Sequence, residues 1–272
     1  FVATVKLTFA LSIILSGLAM YFLAKEFFGK SGGVVSAIFY IWAPYHAVDV
    51  YVRGAMNESW ALVFFPLIFL FSYRLIYLAG VKAHPRGEVL LLALSYTGLL
   101  LSHNLMVLIF TPVFLAWCAL WLWRLKPKNL AFVIWNLALS GITALGLSAF
   151  FTIPAIFENG YTWIKSQLIG YYDYTAHFVS LKQLLISRFW GYGPSVWMEA
   201  DDKMSFQIGH VHWLLSLIIG GWWLVASLRK KRPLIHNSLF LIPFLFFVGW
   251  LAAFMTHVRS TPIYQIFTFL DL

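Results

Sequence analysis

The stretch that decides the fold is LMVLIFTPVFLAWCALWLW (residues 105–123), followed by RLKPKN (124–129) and then LAFVIWNLALSGITALGLSAFF (130–151). Each apolar run has about the length needed to carry a helix across a bilayer, roughly 20 residues. Between them lie Arg124, Lys126 and Lys128, with Pro127 to stop a helix and no acid at all. Two apolar spans joined by a short basic turn read as a transmembrane helical hairpin. They do not read as the core of a soluble domain.

The same signature recurs along the chain. Of 19 Lys and Arg, twelve fall into four short loops, Lys25–Gly32, Arg74–Glu88, Arg124–Asn129 and Arg229–His236. Only two acids, Glu26 and Glu88, share those loops. Basic loops alternating with apolar spans give the positive-inside pattern, which assigns loops 25–32, 74–88, 124–129 and 229–236 to the cytoplasm. The formal charge of +9 and pI near 9.6 are therefore explained by membrane topology, and nucleic acid is not expected as a partner. A chain that is 61% hydrophobic and 11% charged, with mean hydropathy +0.82, falls outside the soluble range. Its lone cysteine, Cys118, excludes an intrachain disulfide.

Eight spans are expected: Val5–Ala24, Val34–Val50, Trp60–Tyr77, Val89–Ser102, Leu105–Trp123, Leu130–Phe151, Val211–Leu228 and Ser238–Met255. The fold class is thus all-α, a polytopic transmembrane bundle forming a single membrane domain over residues 1–272. The chain begins and ends within apolar sequence and is read as a fragment truncated at both ends. Ser102-His103-Asn104 breaks one span from the next, so those two form a tight hairpin with an outward tip. Pro44, Pro66, Pro112 and Pro243 lie inside spans and are expected to kink them. Several Trp, including Trp42, Trp60 and Trp123, fall near span ends as an aromatic belt would.

Of the outer loops, Tyr51–Ser59 is short, whereas residues 152–210 form a long insertion that should hold elements of its own. Within it, Phe178–Trp190 sets Leu181, Leu184, Leu185 and Phe189 on one side of a helix, and an amphipathic helix lying in the interface is expected.

Ionisable groups other than the loop cations concentrate on the outer half. The densest stretch is YHAVDVYVRGAMNE, residues 45–58. There His46, Asp49, Arg53 and Glu58 crowd the junction of two spans. Asp49 and Arg53 stand four apart and would pair on a helix. Gly54 permits a turn, Asn57 can cap the following helix, and Glu58 then sits in its first turn. Such a junction serves either as a salt-bridged, capped helix boundary or as an anion site with Arg53 aimed at phosphate. His103 and Asn104 can reach the same region, and Glu158 follows a span exit. No metal site has telling spacing. His210 and His212 point away from each other on a helix and share a metal only if extended.

The segments YVRGAMNESWAL (51–62) with Pro66, LSHN (101–104), Phe150–Glu158 and DKMSFQIG (202–209) resemble a group of bacterial integral-membrane proteins described as 6-pyruvoyl-tetrahydropterin synthase-related. The chain lacks the architecture of the soluble zinc-dependent pterin synthases. The group is similar to the GT-C class of membrane glycosyltransferases, which take sugars from polyprenyl-phosphate donors on the outer face. That resemblance implies a catalytic acid in a first outer loop that is absent here, so the catalytic residue is unknown. It also implies a donor- and acceptor-binding role for Arg53, Glu58, His103, Asn104, Glu158, Asp49 and His46.

The expected function is therefore sugar transfer from a polyprenyl-phosphate lipid to a glycan, lipid or protein acceptor, at a bacterial plasma membrane. A divalent metal ion is possible as a cofactor, and membrane lipids are partners. Two other classes stay open: a transporter or lipid flippase, and a non-enzymatic envelope assembly protein. Transporters place charges near the bilayer midplane on broken helices. Here they gather at span ends.

Overall fold

A computed structural model describes residues 1–81, 84–161, 177–194, 203–228 and 240–266. Among these residues the chain is helical and contains no strand; one isolated bridge pairs Tyr192 with Met204. The helices are α1 (Val2–Ile41), α2 (Pro44–Ala47), α3 (Met56–Gly80), α4 (Arg86–Ser102), α5 (Asn104–Leu125), α6 (Leu130–Leu147), α7 (Ala149–Phe157), α8 (His210–Leu228), α9 (Leu241–Met255) and α10 (Thr261–Ile266). They belong to two compact units. The first comprises Phe1–Ile41 and Ala55–Asn159, the second Trp42–Gly54 and Gly160–Leu272.

In the first unit α1 is a hairpin. Gly29 adopts φ 70°, ψ −174°, a region essentially reserved for glycine, and the chain reverses there. The arms, residues 2–28 and 30–41, then run antiparallel in close contact. A Cβ on Gly33 would lie 2.9 Å from the carbonyl oxygen of Tyr21, and one on Gly17 would lie 2.9 Å from Ile41. The second arm spans only about 18 Å at 1.5 Å per residue, short of the ~30 Å hydrocarbon slab. The expected span Val34–Val50 is therefore corrected. Pro44 biases Ala43 out of the helical region (φ −59°, ψ 131°), and helix resumes only as the short α2 followed by a π-turn over Val48–Arg53.

Helix α3 is the hub of this unit and packs against α1, α4, α5 and α6. Pro66 lies inside it and lacks the N–H that would bond the carbonyl of Leu62. The hydroxyl of Tyr40, from the second arm of α1, donates to that carbonyl at 2.7 Å. A buried pair of hydroxyls, Ser12 and Ser59, also joins α1 to α3 at 2.6 Å. On the opposite side Gly98 lets α4 approach so closely that a Cβ there would collide with the ring of Phe64. Trp117 of α5 donates its indole N–H to the carbonyl of Phe69 at 3.1 Å, and Phe65 stacks on Phe110 at 4.2 Å. Small residues, interhelical hydrogen bonds and stacked rings hold helices together where lipid removes the hydrophobic drive.

Among the described residues five helices, α1, α3, α5, α6 and α8, are long and apolar enough to cross a membrane, and α9 with its continuation Val258–Ile266 makes a sixth if that pair, bent by 100°, is one span. The eight spans expected from hydropathy are thus not all present as separate long helices: α1 contains two arms, and α4 has 17 residues. The span expected over Leu130–Phe151 divides at Ser148, which leaves α6 and α7 as separate helices. Pro243 does not kink α9, because it sits in the first turn, where a missing N–H breaks no helical bond. The start of the last expected span, at Ser238, lies outside the described residues.

Three basic turns share one end of the first unit. Arg74, near the end of α3, bonds Glu26 beside the Gly29 turn, with Nη2 to Oε2 at 2.7 Å. Gly80, at the end of α3, faces Pro127 in the α5–α6 turn. The residues of the fourth basic loop, 229–236, lie outside the described residues, as does Lys82.

In the second unit, residues 178–190 do not form the expected amphipathic helix. Only Lys182–Ile186 is helical, as a π-turn. Its backbone is pinned to neighbours: Val179 N–H donates to Thr256 O, and Ile208 N–H to Leu184 O. Trp213, on α8, donates its indole N–H to Leu185 O at 3.0 Å. Leu184 is buried while Leu181 and Ile186 are exposed, so the apolar spacing reflects docking onto protein rather than a stripe facing lipid.

Candidate functional site

The candidate residues fall in both units. In the first, α3 begins at Met56 and carries Glu58 in its first turn, where the helix dipole favours a carboxylate. Asn57 does not cap the helix. The N-cap position is Ala55, with no side-chain cap bond, and Asn57 lies within the first turn. Forty-five residues later the α4–α5 break is a single extended residue, His103, at φ −159°, ψ 116°. Its Nδ1 accepts the backbone N–H of Met106 at 3.4 Å, so His103 is the cap of α5. A neutral ring with Nδ1 used as acceptor carries its proton on Nε2. That nitrogen lies 3.7 Å from Oε1 of Glu58.

This pair is what the fold builds from distant sequence. Glu58 is buried, 7% exposed, and His103 is half-buried. The separation exceeds a direct hydrogen bond and suits a proton donor and a carboxylate converging on a third group. The expectation that His103 reaches the Glu58 region is met in the structure. Asn104 is exposed at the start of α5. Glu158 is exposed at the C-terminal end of α7, and among the described residues its side chain makes no hydrogen bond or ion pair.

In the second unit Asp49 and Arg53 lie on the π-turn. Arg53 Nη1 donates to Asp49 Oδ1 at 3.0 Å, the pairing expected from their spacing. Asp49 is fully buried. The same Nη1 donates to the hydroxyl of Tyr45 at 3.2 Å, a partner not foreseen from spacing because it stands eight residues away. Gly54 ends the turn in the left-handed conformation (φ 60°, ψ 29°) with its N–H on Asp49 O, the turn anticipated there. His46, on α2, is buried at 4% exposure, and burial pushes its pKa down to about 4. It is held as a neutral imidazole.

His210 and His212 both sit in the first turn of α8, the arrangement in which two such residues diverge; His210 Nε2 lies 3.3 Å from Ile186 O. Among the described residues no group of three His, Cys, Asp or Glu side chains converges as a metal site. Glu58 and His103 supply two donors.

No protein-family model, curated protein or solved structure matches the chain.

Proposed function

We propose that this chain takes part in transferring a sugar from a polyprenyl-phosphate carrier to an acceptor on the outer face of a bacterial plasma membrane, as the GT-C-like resemblance implies. The observation that carries the reading is the approach of His103 Nε2 to the buried Glu58 carboxylate at a helix N-terminus. An inverting transfer needs a proton acceptor at the acceptor hydroxyl and charge stabilisation at the leaving phosphate. In this reading Glu58 and His103 position the acceptor and Arg53, held by Asp49 and Tyr45, binds the donor phosphate. Asn104, Glu158 and His46 have supporting roles. The topology that goes with it keeps the four basic loops cytoplasmic.

The position of the charges supports an enzyme over a transporter or flippase. Glu58 occupies the first turn of α3 and Arg53 the last turn of its π-helix, so both stand at helix ends rather than mid-span. The test is transfer from a polyprenyl-phosphate sugar by the full-length protein, normalised to folded protein. Glu58→Gln and Arg53→Lys should each lower the rate or donor affinity about ten- to a hundredfold, the latter because Lys lacks the bidentate fork. Near-normal specific activity in both variants would assign these residues to structure alone. Movement of labelled lipid between leaflets without sugar transfer would assign the protein to lipid transport.

A further inference from the structure

Two stretches of chain far apart in sequence meet at one level of the second unit, the start of α8. The first is the piece from Trp42 to Gly54. Its Pro44 packs on Gly209, the residue before α8, where a Cβ would lie 3.0 Å from the proline ring. The second is the segment from Phe178 to Gly193. It meets the first turn of α8 twice: Ile186 O lies 3.3 Å from His210 Nε2, and Leu185 O accepts from the indole of Trp213. It meets the end of α9 through Val179, whose N–H donates to Thr256 O at 2.9 Å. Its far end is fixed as well. Tyr192 bridges to the buried Met204, and Gly193 N–H donates to Lys203 O at 2.8 Å.

This level has a defined depth. Helix α8 has 19 residues, about 28 Å at 1.5 Å per residue, close to the ~30 Å of hydrocarbon in a bilayer. Its start therefore lies at a membrane surface. The turn that continues from Pro44 carries the Asp49–Arg53 ion pair, which belongs outside the hydrocarbon. At this boundary the fold turns aromatic rings outward. Trp42, Tyr51 and Tyr192 are 76%, 67% and 74% exposed, and Trp190 stands edge-on to Tyr192 with ring centroids 6.4 Å apart. Of the four, only Trp42 could be assigned to a belt from its place in the sequence. Trp and Tyr join an apolar ring to one polar N–H or O–H, which suits a layer that is apolar below and wet above. We infer that Trp42, Tyr51, Trp190 and Tyr192 form a collar that seats in the phospholipid head-group layer around the start of α8 and holds residues 178–193 down on the bilayer. The inference stands apart from the sugar-transfer reading, since it uses neither Glu58 nor His103 and no bound substrate.

The experiment places nitroxide labels at Tyr51→Cys, Trp190→Cys and Tyr192→Cys, each in full-length protein carrying Cys118→Ala, in phosphatidylcholine nanodiscs. Depth is read from collision with oxygen against collision with a water-soluble nickel chelate. All three labels should fall within about 5 Å of the lipid phosphate plane, the thickness of the head-group zone. A label at Ile218→Cys, exposed and eight residues along α8, should lie about 12 Å deeper. A collar label that meets the chelate as freely as a label on a soluble peptide would overturn the inference and leave the rings for a water-borne partner. A collar label as deep as position 218 would overturn it too. Whether the rings do the seating is read at Arg188→Cys, an exposed neighbour. Adding Trp190→Ser and Tyr192→Ser should raise chelate collision there about twofold or more, and no change would overturn the collar. The depths should be the same with and without anionic lipid. Seating only in anionic lipid would overturn it, because charge rather than the rings would then hold the segment.

Discussion

The hydroxyl of Tyr40 stands in for an amide that Pro66 cannot provide, donating at 2.7 Å to the carbonyl of Leu62 one turn before the proline. An unbonded carbonyl in a membrane helix is costly, so α1 repairs the defect that the sequence of α3 creates. Tyr40→Phe should destabilise the folded protein in detergent by about 1 kcal/mol, the usual scale for interhelical hydrogen bonds in membrane proteins. Pro66→Ala restores the N–H, and in that background the cost of Tyr40→Phe should shrink. A double-mutant cycle on unfolding measures the coupling, and strictly additive effects would show that the hydroxyl does not serve the proline gap.

His103 has two separable jobs, and two substitutions divide them. His103→Asn keeps an acceptor for the α5 cap but removes the ring N–H facing Glu58, whereas His103→Ala removes both. Thermal unfolding should place the Ala variant about 1 kcal/mol below the Asn variant, the ordinary value of an N-cap. Sugar transfer should fall in both by a similar factor of about a hundred, the lower range for a positioned proton-transfer group. Recovery of activity in the Asn variant would reduce His103 to a cap.

His46 sets a pH dependence of known sign. Burial lowers its pKa in the fold to about 4 from an ordinary 6.5, so the folded state holds the proton less tightly than the unfolded state. The stability gained by keeping it neutral is present above about pH 6.5, declines as the pH falls, and is gone below about 4. The full excursion is on the order of 3 kcal/mol. His46→Phe should flatten that part of the stability–pH curve relative to wild type, as read from denaturant unfolding in detergent between pH 7 and 4. Parallel curves would mean that His46 does not titrate in this window.

The proposed orientation makes its own prediction. Lys126→Cys, in a Cys118→Ala background, should resist an impermeant thiol reagent added to intact cells, whereas Asn104→Cys should react. Both side chains are exposed, so accessibility depends on side alone. Labelling of position 126 from outside would invert the map.

Much of the fold was readable because length and charge alone define a span and its ends. The breaks at Arg124–Asn129 and at His103 appear where the sequence placed them, and Asp49 finds Arg53 because four residues make nearly one helical turn. Other features depend on backbone chemistry that hydropathy ignores. The second arm of α1 stops at Ile41 because Pro44 follows. Residues 178–190 carry a helical apolar spacing, yet Leu184 and Leu185 use it to dock against α8 and α9. The approach of Glu58 to His103, and of Tyr40 to Leu62, depends on which helices become neighbours. No spacing in a single sequence encodes that.

The junction between α4 and α5 is one residue long, and its side chain is an imidazole. In the proposed orientation, with the basic turns cytoplasmic, assembly of that hairpin carries little more than His103 and its backbone across the lipid. An imidazole carries no fixed charge of the kind a lysine or arginine would bring to that junction. The residue facing Glu58 in the finished protein is thus also one that a nascent hairpin can deliver there without carrying a fixed charge through the membrane.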